Sequence, residues 1–251
     1  MGRETALITG AAGCIGSSTS KYLAKKGMIV LLTDINDGEG EKLKEEIVSG
    51  GGVAEYYHMD VCSGEEVASV LKKIEKTHGR INHLICIAGG ALEEKHLPFE
   101  KIPEEIGRKT LELNYFGVCN VIKNSVHLMD GMENSSIVVI GSVNAYQAIG
   151  NPYYSSSKGA LKSLVKYLSA QYGQRGIRVN MLIPGTVKSE RTEKMYEAEI
   201  FEKLKEKITY GNEFIPPEDV AHGIYFLTQN KSANGCILVL DRGQSSGKHI
   251  V

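Results

Sequence analysis

Short runs of apolar residues recur along the chain, at 6–8, 28–32, 53–57, 83–87, 137–140, 179–183 and 237–240, each bounded by turn-forming residues. Several are apolar on consecutive positions. A strand with one wet face alternates, whereas a strand buried on both faces reads as a continuous run. Between these runs lie longer charged stretches with apolar residues at helical spacing, at 39–48, 64–77, 108–129 and 155–172. Strand and helix alternating over the whole length predict an α/β fold, a doubly wound parallel sheet in three α/β/α layers. No repeat, low-complexity tract or Pro/Gly-rich linker interrupts the pattern, which predicts one domain over residues 1–251. One stretch departs from it. Residues 188–211, rich in Glu and Lys, carry Met195, Ala198, Phe201, Leu204 and Ile208 at helical spacing. They read as an amphipathic helical insert, either an ordinary surface helix or a lid over a substrate.

Composition narrows the function classes. With 251 residues, 42% of them hydrophobic, the chain can bury a sizeable core. A net charge of -1 supplies no basic field of the kind nucleic acid needs, so no nucleic-acid partner is expected. Residues 1–6 run into the first apolar segment without the long apolar stretch of a signal peptide or membrane span, and Ala6 stands where a myristoylation signal has Ser or Thr. A soluble, cytoplasmic protein without membrane association is the expectation. Cys14, Cys62, Cys86, Cys119 and Cys236 are an odd, scattered set with no C-x-x-C pair, and the histidines show no i, i+4 pairing. Reduced thiols and no protein-built metal site follow.

The first predicted strand ends in Thr9-Gly10-Ala11-Ala12-Gly13-Cys14-Ile15-Gly16 and leads into a helix. A glycine-rich turn at that point lets backbone N–H groups and the positive helix end meet a pyrophosphate. Asp34 follows the second strand, near the spacing at which dinucleotide folds set a carboxylate on the adenosine ribose. The strongest pattern is Tyr154 and Lys158, one helical turn apart and on one face. A phenol working near pH 7 needs its pKa lowered by about three units, roughly 4 kcal/mol. One ammonium about 4 Å away at an effective dielectric near 20 supplies that much. Tyr153 points about 100° away on a helix and has Ser157, not Lys, one turn on. Ser142, after the fifth predicted strand, can bond a reacting oxygen. Asn114 lies mid-helix, where its amide needs a partner.

Together these residues make the chain resemble the single-domain branch of the short-chain dehydrogenase/reductase family over essentially its whole length. The glycine motif aligns at Thr9 to Gly16, Asp-Val at Asp60-Val61, and Asn-Asn-Ala-Gly at Cys86-Ile87-Ala88-Gly89. The catalytic Asn, Ser, Tyr and Lys align with Asn114, Ser142, Tyr154 and Lys158, and the nicotinamide turn with Pro184-Gly185. The resemblance implies a Rossmann-type fold, NAD as cofactor and a hydride moved between nicotinamide and a carbonyl or secondary alcohol. Tyr154 would exchange the proton, Lys158 would lower its pKa and hold a ribose hydroxyl, Ser142 would orient substrate, and Asn114 would hold a relay water. Cofactor contacts are expected from Gly10, Ala12, Gly13, Cys14, Ile15, Gly16, Asp34, Ile35, Asp60, Val61, Ala88, Gly89, Tyr154, Lys158, Pro184, Gly185, Val187 and Ser189. Substrate contacts are expected from Ser142, Asn144, Tyr146 and Tyr154, with the pocket bounded by residues 143–149 and 188–211. A homotetramer or homodimer is implied as well.

Three departures stand out. Cys14 replaces the middle family glycine, Cys86-Ile87 replace the asparagine pair, and Arg242 replaces the first glycine of the C-terminal Asp-Gly-Gly. They motivate an alternative, a dinucleotide-binding scaffold or sensor with little turnover. A sugar-nucleotide epimerase shares Tyr-x-x-x-Lys, but needs different glycine spacing and a larger C-terminal domain. The thiol of Cys14, at a helix start, is expected to feel the positive helix end and ionise more readily.

Overall fold

The computed structural model describes residues 2–92, 97–147, 150–195 and 198–247, and of residues 191, 194, 195 and 198 the backbone alone. Ala148, Ile149 and the side chains of Met195 and Ala198, which belong to the expected pocket and insert, lie outside the described residues.

Seven strands form one parallel sheet: β1 (Thr5–Thr9), β2 (Ile29–Asp34), β3 (Val53–His58), β4 (His83–Cys86), β5 (Ser136–Ile140), β6 (Arg178–Pro184) and β7 (Ile237–Leu240). Their order is β3-β2-β1-β4-β5-β6-β7. The continuous apolar runs occupy the middle. Every residue of β1, β4, β5 and β6 is buried, while the edge strands β3 and β7 are only partly covered. The winding reverses between β1 and β4, and chains leaving those strands in opposite directions open a crevice at their carboxyl ends.

Helices α1 (Cys14–Lys25), α2 (Asp37–Ser49) and α3 (Gly64–His78) follow β1, β2 and β3. Asn36 and Ser63 cap α2 and α3 by accepting from Glu39 and Glu66 backbone N–H groups. The stretch read as one helix over 108–129 is divided into α4 (Glu104–Leu111), a π turn (Glu112–Phe116), α5 (Gly117–Ser125) and a 3-10 end (Val126–Met129). Beyond the long α6 (Pro152–Gly173), the insert is helical, among the described residues, over α7 (Glu190–Met195) and α8 (Ala198–Glu206). A final helix, α9 (Pro217–Gln229), completes the fold.

The sheet buries two cores. Leu71 of α3, Ile122 of α5 and Leu161 and Val165 of α6 pack on one face. Leu23 of α1, Leu43 and Ile47 of α2 and Ile224 and Leu227 of α9 pack on the other. Leu204 and Ile208 join neither, closing instead on Phe214 as a small satellite with Phe201, whose ring meets Phe214 edge-on at 4.7 Å. No helix among the described residues is long and apolar enough to cross a membrane.

Candidate active site

The turn between β1 and α1 is built from glycine for steric reasons. Gly10 has φ +67°, and a Cβ there would come within 2.7 Å of the Ala88 backbone. A Cβ on Gly16 would lie 2.0 Å from the Gly10 carbonyl oxygen, so α1 can start this close to the turn only without a side chain. Gly13 is different, since its Cβ would meet the same oxygen at an ordinary 3.4 Å. Helix α1 begins with no capping side chain and no acid in its first turn, leaving its N-terminus free to receive an anion.

Asp34 ends β2 with both carboxylate oxygens engaged, Oδ2 by the Ala12 N–H at 3.0 Å and Oδ1 by the Asn36 N–H at 3.0 Å. It is thereby fixed beside the glycine turn. Cys14 is exposed, and its Sγ lies 3.5 Å from the Lys188 carbonyl oxygen. Partial burial and the Glu218 carboxylate push its thiol up, opposite to the direction expected from the helix end alone.

Helix α6 carries the expected acid/base pair. Asn151 caps it by accepting the Tyr153 N–H at 2.8 Å, Pro152 opens its first turn, and Tyr154 and Lys158 follow one turn apart. Lys158 is only 3% exposed and donates to the Ile140 carbonyl at 3.1 Å. Burial lowers its pKa to about 8. Its Nζ stands 5.7 Å from the centre of the Tyr154 ring. Gly89 (φ +147°) makes room for this ammonium, because a Cβ there would lie 3.3 Å from Nζ and 2.6 Å from Asn114 Oδ1. Tyr153 turns away, packing on Gly107 of α4 and on Phe99 at 5.7 Å. Ser142 opens a 3-10 turn (Val143–Ala145), its Oγ accepting the Asn144 N–H at 3.2 Å.

These groups share one cleft of about 700 Å³ along the carboxyl ends of the strands. All of the expected cofactor contacts line it, together with Ser142 and Asn144. Two expected site residues do not. Asn114 is fully buried behind the wall, where the π turn aims its amide at backbone: Nδ2 donates to Gly90 O and Thr110 O, each at 3.0 Å, and Oδ1 accepts the Gly90 N–H at 2.9 Å. Tyr146 stands exposed outside the lining, its ring under Lys162 Nζ at 4.0 Å. Thr186 lines the cleft without having been expected to, and Thr192 enters it from the expected insert. Thr186 follows the Pro184-Gly185 turn directly, which is the signal that could have marked it.

The departures are accommodated. Cys86 is buried at the end of β4 with burial pushing its thiol up to about 12, while the N–H groups of Ile87 and Ala88 both reach Thr9 Oγ1 at 3.2 Å, so the backbone is held without the asparagine pair. Arg242 takes a left-handed conformation, φ +50°.

Comparison with known proteins shows the family. A family model described as Enoyl-(Acyl carrier protein) reductase matches residues 10–245. A 3-oxoacyl-(acyl-carrier-protein) reductase of Thermotoga maritima is 30% identical over 243 residues, 96% of this chain and 97% of the relative. The chain belongs to the short-chain dehydrogenase/reductase family. An oxidoreductase of Schizosaccharomyces pombe is 32% identical over 249 residues, 96% of this chain and 90% of its own. A structure described as a D-mannonate oxidoreductase from Haemophilus influenza, with bound NAD, superposes with a TM-score of 0.89 at 25% identity, covering 98% of this chain and 96% of that one. As a short-chain dehydrogenase/reductase, the protein is an oxidoreductase of the CH–OH/carbonyl couple with a Rossmann-type sheet.

Proposed function

We propose that this short-chain dehydrogenase/reductase moves a hydride between NAD(H) and a carbonyl or secondary alcohol, with Tyr154 as its acid/base. The reading is carried by one observation: Ser142, Tyr154 and Lys158 line the same cleft as the glycine turn and Asp34. The residues present fit the cofactor. The uncapped start of α1 would receive the pyrophosphate, Asp34 the adenosine ribose, Ile35 and Val61 the adenine, and Pro184, Gly185, Val187 and Ser189 the nicotinamide end. The bound nicotinamide would supply or accept the hydride.

The chain's own side chains do the rest. Tyr154 gives its proton to the substrate oxygen on reduction and takes it back on oxidation. Lys158 favours the phenolate by its charge and holds a ribose hydroxyl, while Ser142 and Asn144 orient the substrate. Asn114, its amide committed to backbone, acts through Gly90 by fixing the wall beside Lys158. Helices α7 and α8 are the lid, anchored where Thr192 enters the cleft. The substrate is a 3-oxoacyl thioester, a sugar or polyol, or a cyclic alcohol; the names of the Thermotoga and Haemophilus proteins support the first two. A dimer or tetramer through α4–α5 and α6 would cover the exposed Phe116 and Tyr167.

NAD(H) is preferred over NADP(H), because the Asp34 carboxylate meets a 2'-phosphate with like charge and no Arg or Lys stands at positions 12, 13 or 35. Repulsion of about 1.4 kcal/mol gives about tenfold. Titration of NADH and NADPH by nicotinamide fluorescence, followed by turnover on a panel of ketones and alcohols, tests the reading. Equal or tighter NADPH binding contradicts the preference, and no nucleotide binding at all contradicts the function.

A further inference from the structure

The nicotinamide turn and the segment bearing Ser142 leave different strands, and a single residue, through its side chain and its main chain, joins them. Gln244 lies in the turn after β7 and is 3% exposed. Its Oε1 accepts the Thr186 N–H at 2.8 Å and its Nε2 donates to Thr186 Oγ1 at 3.1 Å. Thr186 is thus gripped at both of its donor and acceptor groups facing Gln244. The main-chain carbonyl of Gln244 accepts from Gln147 Nε2 at 2.6 Å. Gln147 lies between Ser142 and the Asn151 cap of α6, so the same residue touches the cofactor side and the substrate side of the cleft. Gly185 allows the approach, since a Cβ there would lie 2.8 Å from Gln244 Oε1.

The turn that presents Gln244 is itself held from outside. Asp241 accepts N–H groups from Gly243 at 2.9 Å and Ser245 at 2.8 Å, and also the Ser245 hydroxyl. The Arg242 carbonyl accepts from Thr209 Oγ1 at 3.2 Å and the Tyr210 N–H at 3.1 Å, just beyond α8. Arg242, the departure from Asp-Gly-Gly, sends its guanidinium to the Glu213 carbonyl at 3.3 Å. The C-terminal turn therefore sits between the lid segment and the reacting end of the cleft.

We propose that Gln244 is a positioning residue that sets the nicotinamide turn against the Ser142–Tyr154 side of the cleft, and that the segment after α8 steadies it through Arg242. The proposal rests on the reading of residues 184–189 as the nicotinamide turn. Gln244 acts at one end of the bound cofactor only. Its loss should weaken the hold on nicotinamide and leave the adenosine end alone.

The test compares NADH with ADP-ribose, which lacks the nicotinamide, on the wild-type protein and on Gln244→Met and Gln244→Glu. Gln244→Met removes both bonds to Thr186, and NADH affinity falls about tenfold while ADP-ribose affinity stays within about twofold. Gln244→Glu keeps an acceptor for the Thr186 N–H and can accept from its hydroxyl, and restores most of the NADH affinity. If Gln244→Met does not fold, Gln244→Asn, which keeps the amide but shortens its reach, shows the same selective loss. Equal losses for the two nucleotides, or none for either, overturn the positioning role. A wild-type protein that binds ADP-ribose and NADH equally overturns the assignment of the nicotinamide turn itself, and one that binds neither overturns the dinucleotide reading.

Discussion

Lys158 keeps its ammonium in a place where burial opposes the charge, with its pKa lowered from 10.5 to about 8. The folded protein therefore releases this proton before the unfolded chain does. The cost of the charge is full below about pH 8 and is relieved as pH rises from there towards 10.5. Replacing a poorly compensated buried charge by an apolar chain of similar shape stabilises many folds. Lys158→Met should raise stability at pH 7 by about 1–3 kcal/mol while removing turnover. A melt at pH 7 no higher than the wild type's would contradict this account of Lys158. The Tyr154–Lys158 pair was legible in the sequence because one helical turn fixes its geometry. The state of Cys14 was not, because its partial burial and then Glu218, from a helix remote along the chain, both come from tertiary packing. Nor was the position of Tyr146, outside the cleft lining with its ring beneath Lys162 of another element.

At the scale of elements, apolar runs located all seven strands: burial on both faces leaves a continuous signature in the central ones, and the partly covered edge strands β3 and β7 carry short apolar runs as well. Helix 108–129 was misread as unbroken because a π turn adds one residue without disturbing apolar spacing enough to show. That extra residue carries Asn114 inward to Gly90, a contact between segments that periodicity does not report. The glycine turn was legible as a motif, but not which glycines are obligatory. Gly16→Ala should cut NADH affinity at least about tenfold, because its Cβ must displace the Gly10 carbonyl or the start of α1. Gly13→Ala should stay within about threefold of the wild type, since its Cβ has ordinary contact distance. The two titrations side by side check the turn, and equal effects would count against the steric reading.

At the scale of the whole molecule, the amino ends of the strands are tied by Glu4. Its carboxylate accepts from His83 Nε2 at 3.2 Å, Asn134 Nδ2 at 3.0 Å and Gln229 Nε2 at 3.1 Å, joining β1, β4, the approach to β5 and α9. The His83 bond foremost lowers its pKa from 4.5 to about 2. Its contribution is present above pH 4.5 and is lost as pH falls towards 2. Glu4→Gln should cost about 1 kcal/mol at pH 7 after solvent screening, and denaturant titration should show the difference shrinking below pH 4.5. A constant difference down to pH 3 would argue against it. This network was invisible in the sequence, for its members lie on distant segments and share no spacing. The carboxyl ends of the strands were legible, because the Tyr154–Lys158 pair, the glycine turn and Asp34 each announce themselves locally and the fold only collects them. What unites those ends is the claim that Tyr154 handles the proton. The most direct measurement compares Tyr154→Phe with Tyr153→Phe, in NADH-dependent turnover on the substrate the panel yields and in NADH titration. Tyr154→Phe should lose at least about a thousandfold in kcat with NADH affinity within a few-fold, and Tyr153→Phe should keep its turnover. A dead Tyr153→Phe beside an active Tyr154→Phe would contradict the assignment.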